Sequence, residues 1–490
     1  SMIINRSFKE FKFRHRSKKN QIIFTSKKVK NDEEITNLID NFLIEKNSFI
    51  FESVEKGKIK GRYTIFGKNP DKIWEFNNNN SYQIKNGKKI TLKEKPEKLI
   101  EKIIEEFKFE TPKNLPKICS LISGFFSYDA IRYIEKIPNT CKNDLKLPDV
   151  RLLRPRTLII HDNLKKEIFF INNIFKDETI KNYQTKYEEI KSDLFKLKIQ
   201  SSIKSLDNTI GLKSKSINVK SNTSKNKFIN MVKKAKRYIK LGDIFQVVLS
   251  QRFEARLTKR PIEIYKKLRV TNPSPFMFFF NFSDFQIIGA SPEILVRLRD
   301  KNITVRPIAG TRPRGKNSKE DRFYEKDLLN DKKELSEHLM LLDLGRNDAG
   351  KVSKINSVKV TESFIIEKYS HVMHIVSNVV GKYNDKFSKL KSLLAGFPAG
   401  TVSGAPKIRA MEIIDELEST KRKVYAGGIG YFSANGEFDT CIALRTAVVK
   451  KNKFYVQAGA GIVADSKPIK EYEETVNKAK ALINALRWKK

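Results

Sequence analysis

Cysteine is scarce in this chain: there are 3 in 490 residues, Cys119, Cys141 and Cys441, with no CxxC spacing among them. An odd, scattered set excludes a disulfide framework and a cysteine-built zinc site, and it fits a reducing compartment. Long apolar runs are also missing. Nothing approaches the roughly 18 consecutive apolar residues that a membrane helix needs. Ser1 ahead of Met2 reads as a cloning remnant, and "IINRSFKEFKFRHRSKKN" after it has neither an apolar signal core nor a small-residue cleavage site. No internal repeat of fixed period marks a solenoid or propeller. These absences lead to the expectation of a soluble, cytoplasmic protein with no membrane contact.

Basic residues, in contrast, are abundant. Lys and Arg number 97 against 56 acids, a formal charge of +41. A basic nucleic-acid-binding protein is one reading of that number, but such a protein concentrates its charge on one stripe. Here the lysines run through every segment, interleaved with acids as in "EKPEKLIEKIIEEF". The charge is therefore read as a solvated surface bias with no nucleic-acid partner, although its field would steer a dianionic substrate.

Hydrophobic content of 39% with 10% aromatics is that of a globular protein, and 490 residues exceed what one core usually supports. Residues 1–200 alternate short β-like runs ("NSFIFESV", "GRYTIFG", "RTLIIHD", "EIFFINN") with a helical stretch at "EKLIEKIIEEF". Residues 201–224, rich in Ser, Asn and Lys and without a period, read as a linker or long loop. From 225 to 490, helices and strands alternate. Ser224 caps a predicted helix that Gly242 ends, and a strand follows in which Ile244, Gln246, Val248 and Ser250 share one face. An amide inside that apolar strand needs something polar to face.

Two acidic pairs stand out. Glu334 and Glu337 lie one turn apart on a predicted helix whose Leu335, Leu339 and Leu342 form another face, and Glu471 and Glu474 repeat the spacing on the last helix with Lys478 beside them. Such pairs suit a hard cation such as Mg²⁺, which takes only one or two protein carboxylates, usually together with an anionic substrate. They equally suit a solvated acidic face. "VQAGAGIVA" contains G-x-G-x-x-A after a strand, but the βαβ continuation of a dinucleotide fold does not follow. Its Gly459 and Gly461 remain places where backbone can approach a ligand. "FPAGTVSGAPK" reads as a turn into a helix with Pro406 in its first turn, suited to an anion, and "PIAGTRPRG" as a Gly-rich turn or polar loop.

"GDIFQVVLSQ", "GASPE", "PIAGTRPRG", "SEHLMLLDLGRND", "YSHVMHIVS", "FPAGTVSGAPK", "YAGGIGYF", "DTCIALRTAVV" and "QAGAGIVADSKPIKEYEET" occur in this order. Together they resemble the chorismate-utilising enzymes, and among them the large aminase subunits known as anthranilate synthase component I. The resemblance is dense from about residue 225 onward and thinner before about 170. It implies an α+β fold with large antiparallel β-sheets packed in the core and flanking helices. It further implies chorismate as substrate and Mg²⁺ held by Glu337 and Glu474, with Glu334 and Glu471 nearby or acting through water. Glu293 matches the general acid that protonates the departing C4 hydroxyl, and His374 a histidine near the C2 proton and enolpyruvyl group. Thr401, Tyr425, Arg445, Gly459, Gly461 and Lys478 match substrate-binding positions.

Relatives differ in the nucleophile. Those that add water carry a lysine base where this chain has Gln246, because water must lose a proton as it attacks. Ammonia needs orientation only, which an amide supplies by hydrogen bonding. Aminodeoxychorismate synthases typically carry a nucleophilic lysine at the third position of "PIxGT", here Ala309, which cannot attack. Anthranilate synthesis is the resulting expectation, ahead of aminodeoxychorismate or aminodeoxyisochorismate synthesis. "FESVEKGKIKGRYTIFG" and "NPSPFMFFF" resemble the family's tryptophan-inhibition site, through Glu52, Ser53, Arg62, Pro275 and Met277, with Phe276 where tyrosine is commoner. No cysteine sits in a G-x-C-x-G turn, so a separate glutamine amidotransferase, component II, is the expected partner in a hetero-oligomer.

Overall fold

The computed structural model describes residues 3–55, 58–205 and 217–484; the middle of the 201–224 segment lies outside them. One antiparallel sheet runs, strand by neighbouring strand, through Gln21–Lys28, Glu167–Ile174, Val150–Asp162, Tyr63–Asn77, Ser48–Glu52, Phe276–Asn281, Gln286–Ser291, Thr446–Lys450, Lys453–Ile462 and Gln246–Arg256. A second leaves Val150–Asp162 at its first residues and continues through Leu121–Phe126, Gly428–Ser433, Phe438–Ile442, Ile294–Arg299, Asn302–Val305 and Val372–Lys382. Strands from residues 1–200 thus pair directly with strands from 225–490. Ser48–Glu52 lies against Phe276–Asn281, and Leu121–Phe126 against Gly428–Ser433.

Alternation along "FMFFF" explains how the layers stack. Phe278 and Phe280 point into a buried cluster with Phe49, Phe125, Ile160, Ile429 and Val448, drawn from both sheets. Met277 and Phe279 point the opposite way, into a cluster with Leu38, Leu194, Tyr265 and Leu482 from four covering helices. Each fully buried Phe removes enough apolar surface to contribute about 1.5–3 kcal/mol, so the register of this strand is strongly fixed. The α+β class with packed antiparallel sheets and flanking helices is the one observed.

Helix Lys332–Gly350, capped by Asp331, buries His338, Leu341, Leu342, Gly345, Asp348 and Ala349. That set, rather than Leu339, which is 50% exposed, is the packing face. His338 Nε2 meets Ser377 Oγ at 2.6 Å, so a polar contact fixes the helix rotation that the leucines alone left ambiguous. "IAGTRP" is also not a loop: Ile308–Pro313 is a strand paired with Val372–Lys382. Among the described residues no helix is long and apolar enough to cross a membrane.

Candidate active site

Gln246 opens the strand Gln246–Arg256 and is 2% exposed. Its Nε2 donates to Glu337 Oε1 at 3.0 Å. Gly461 faces it from the neighbouring strand, and a Cβ there would stand 2.3 Å from Nε2. The same device recurs two residues away, where a Cβ on Gly459 would stand 2.5 Å from the hydroxyl of buried Tyr425. These glycines are therefore space for side chains from other elements, with the Gly459 carbonyl also accepting from Lys478 Nζ at 2.9 Å.

Glu337 belongs to a group of four acids. Burial raises the pKa of Glu337, Glu334 and Glu471, and in each case a neighbouring glutamate adds to the rise: Glu474 for Glu337, Glu337 for Glu334, and Glu474 for Glu471. The two i, i+3 pairs read from the sequence therefore lie within electrostatic reach of one another. Two cations temper them: Lys478 stands 3.8 Å from Glu474, and Arg312 stands 3.7 Å from Glu334. Among the described residues no three acids, histidines or cysteines close into a complete metal cage. A crowded, half-buried set of carboxylates nonetheless suits a hard cation that keeps its waters and takes one or two protein oxygens.

Glu293, between the strands Gln286–Ser291 and Ile294–Arg299, is 5% exposed. Burial pushes its carboxyl up to about 8, against weaker opposition from the Thr401 hydroxyl, which donates to Oε2 at 3.2 Å. At neutral pH it is an acid holding its proton. His374 is 4% exposed, and its Nδ1 lies 3.3 Å from the Gly310 carbonyl and 3.1 Å from Thr311 Oγ1. A carbonyl only accepts, so Nδ1 carries the hydrogen, and Nε2, buried and without a partner among the described residues, keeps a free lone pair. Burial, reinforced by Arg445, lowers this imidazole to about 4.

Arg445 stands just before the strand Thr446–Lys450 with φ 47°, a backbone conformation that costs energy for a non-glycine residue. It makes no ion pair among the described residues. Burial holds its pKa below the usual value. A desolvated guanidinium without a carboxylate is placed to donate to a ligand anion.

The chorismate binding enzyme family model matches residues 47–484. The chain belongs to that family. Anthranilate synthase component 1 of Cereibacter sphaeroides is 46% identical to it over 98% of this chain and 97% of its own. The crystal structure of anthranilate synthase component I from Streptococcus pneumoniae superposes with TM-score 0.77 at 39% identity, covering 87% of this chain and 93% of that one. A menaquinone-specific isochorismate synthase from Escherichia coli shares the fold with TM-score 0.72 at 18% identity, over 96% and 95% of the two chains.

A cleft of about 1230 Å³ is lined by Glu52, Ser53, Arg62, Pro275, Phe276 and Met277 among others. The five positions matched to an inhibitor site are thus brought together, with Met277 directly opposite Glu52 in the strand pairing. The Glu52 carboxylate, however, is already engaged: Arg269 donates to it through Nε at 2.5 Å and NH2 at 3.1 Å, and the Tyr265 hydroxyl also donates. Arg62 is likewise held by Asp162 at 3.1 Å.

Several supporting residues escape a reading of motifs alone. Thr311 and Gly310 orient His374. Beneath the strand of Gln246, Glu418 accepts from the Ser250 amide and hydroxyl at 2.8 Å and pairs with Arg422 at 2.9 Å. Arg422 in turn donates to the carbonyls of Val248 and Val402 at 2.8 and 2.6 Å. The sequence signal for this brace is an ion pair at i, i+4, which is common on exposed helices and says nothing by itself of burial.

Proposed function

We propose that the chain is the aminase subunit of an anthranilate synthase, converting chorismate and ammonia to anthranilate and pyruvate, the first committed step of tryptophan biosynthesis. The observation that carries this reading is Gln246: a buried amide, donating to Glu337, occupies the position where a water-activating relative needs a lysine base. Ala309, 9% exposed within its strand, offers no nucleophile for amination at C4.

In this reading Glu293 gives its proton to the C4 hydroxyl, which leaves as water, while ammonia adds at C2. The free Nε2 of His374 then stands ready to take the C2 proton as pyruvate departs and the ring becomes aromatic. Arg445, the Gly459 and Gly461 backbone, Thr401, Tyr425 and Lys478 bind and orient the substrate. Glu337 and Glu474, supported by Glu334 and Glu471, are the residues that would hold Mg²⁺, which when bound neutralises and fixes the ring carboxylate. Gln246 orients the nucleophile and transfers no proton.

A glutamine amidotransferase, component II, supplies the ammonia, so the working enzyme is a hetero-oligomer. Tryptophan occupies the cleft beside Ser53, Pro275 and Met277 as feedback inhibitor. The cytoplasm is the proposed compartment, in keeping with three free cysteines. Incubating the purified chain with chorismate, ammonium and Mg²⁺ and following anthranilate fluorescence tests the reading. Anthranilate is expected without component II. Its absence, both with and without that subunit, would overturn the assignment.

A further inference from the structure

Glu293, read above as the general acid, must regain a proton after every turnover. It lines a cavity of about 40 Å³ whose lining also includes Thr401, Leu344, Gly345 and Asp348. Of the residues read above as binding substrate, Thr401 alone belongs to that lining; His374, Tyr425, Arg445, Gly459, Gly461 and Lys478 do not. At roughly 10–15 Å³ for each water, the space holds about three or four.

Asp348 is 6% exposed, and its Oδ2 accepts from Lys407 Nζ at 3.1 Å. Its Oδ1 is buried and has no hydrogen-bond partner among the described residues. The largely exposed Lys351 places Nζ 3.8 Å from that same oxygen, next to solvent. A buried carboxylate oxygen without a donor, in a water-sized cavity shared with the acid, calls for water.

We propose that this cavity is the proton supply of Glu293, with Asp348 as the relay group that passes protons from solvent through cavity water to the acid. The Asp348 carboxylate takes a proton from solvent beside Lys351 and gives it to a cavity water, and that water gives one to the Glu293 carboxylate. One proton enters per proton spent on the leaving hydroxyl, the ammonia nitrogen bound at C2 releases one to solvent as it becomes the neutral amine, and no electrons are transferred. Asp348 is not among the residues proposed to bind substrate, and its part is to serve Glu293.

The test is steady-state turnover of the full chain with chorismate, ammonium and Mg²⁺, in H₂O and D₂O, for Asp348→Asn and Gly345→Ala. Asp348→Asn is expected to lower kcat by about tenfold, less than the roughly 10²–10⁴-fold that the general acid itself contributes, with KM for chorismate unchanged. The solvent isotope effect on kcat should rise, and added formate, a small acid, should restore turnover. Gly345→Ala keeps the fold: its new methyl would meet Val305 and Pro307 no closer than 3.4 Å. By displacing cavity water it should also lower kcat and raise the isotope effect. Parental kcat and isotope effect in both variants would overturn the relay. So would a loss in Asp348→Asn that formate does not rescue while Gly345→Ala behaves as the parent. If the parent itself makes no anthranilate, the functional reading fails, and the relay is judged on whatever chorismate product the parent forms.

Discussion

Gln246 Nε2 and Glu337 Oε1 stand 3.0 Å apart, joining the first residue of a core strand to a helix that carries one of the two glutamate pairs. The amide is thereby held donating to an acid, and its own Oε1 is buried with no partner among the described residues. That oxygen accepts, so it can orient an N–H of ammonia. Gln246→Lys should place a base where the amide lies. The expected outcome is a loss of anthranilate formation of about a hundredfold with a C2-hydroxylated product appearing, read by mass spectrometry of the chorismate products. Loss of anthranilate with no hydroxylated product would mean that the lysine alone does not convert the chemistry.

Gly461→Ala tests the same corner from the other side. Its Cβ would lie 2.3 Å from the Gln246 nitrogen, and that amide, tied to Glu337, has little room to retreat. The amide is expected to rotate away, lowering kcat by about tenfold or more, since a misplacement of order 1 Å can cost a hundredfold. Kinetics of Gly461→Ala alone and with Gln246→Ala would check it. The second change should relieve the clash in stability and leave activity low.

Part of this site was legible in residue type and spacing, and the roles of its residues in the resemblance to a known family. The glutamate pairs, Gln246 in an apolar strand and the unreactive Ala309 needed no coordinates. What brings Glu337 to Gln246, separated by 91 residues, is sheet topology, and no local pattern encodes it. The helices Phe8–Arg16, Glu33–Phe42 and Tyr183–Gln200 were not singled out either. The first and last of these show little segregation of apolar from charged residues, and the lysines of Tyr183–Gln200 blur its apolar positions, although Ile190 and Leu194 are fully buried. "IAGTRP" is a strand despite its glycine and proline because its partner Val372–Lys382 supplies the hydrogen bonds, with an irregularity in the pairing between Ala309 and Thr311.

Glu293→Gln separates binding from chemistry. Chorismate affinity should persist while turnover falls by about 10² to 10⁴, the usual contribution of general acid catalysis. In the parent, kcat/KM should fall as pH rises through about 8, where the free enzyme's carboxyl loses its proton. Burial makes the folded protein hold that proton more tightly than the unfolded chain does, so this group's effect on stability is unfavourable above the unfolded pKa. It grows as pH rises from the ordinary carboxyl range toward about 8 and then levels off. Glu293→Gln should therefore melt higher than the parent at pH 9 and show no such advantage at pH 4, measured by calorimetry.

The acid cluster predicts a metal response that needs no turnover. Glu334, Glu337 and Glu471 are all raised by burial with mutual repulsion added, so a divalent cation should relieve that repulsion and stabilise the fold. Adding Mg²⁺ to the protein should raise Tm by a few degrees, and a chelator should reverse it. Glu337→Gln and Glu474→Gln should each shrink the shift, and their anthranilate synthesis should require much higher Mg²⁺. An equal Tm rise in both variants would place the cation elsewhere.

Glu52 carries two consequences that can be pulled apart. Its side chain is fully buried, and it holds Arg269 through both oxygens while lining the cleft proposed for tryptophan. Replacing one partner of such a pair leaves the other buried and uncompensated, at a cost of about 3–5 kcal/mol. Glu52→Gln should therefore lower the denaturation midpoint as well as the response to tryptophan. Ser53→Ala breaks no buried ion pair and should weaken tryptophan inhibition with little change in stability. Phe276→Tyr adds a hydroxyl beside Arg297, which lies 5.8 Å from the Phe276 ring centroid, and should alter the tryptophan concentration needed for half inhibition without moving KM for chorismate. Measuring inhibition and unfolding for all three variants separates a residue that shapes the cleft from one that contacts the inhibitor. If Ser53→Ala and Phe276→Tyr leave inhibition as it is in the parent while Glu52→Gln abolishes it, the cleft acts through the Glu52–Arg269 pair rather than through direct contact with the ligand.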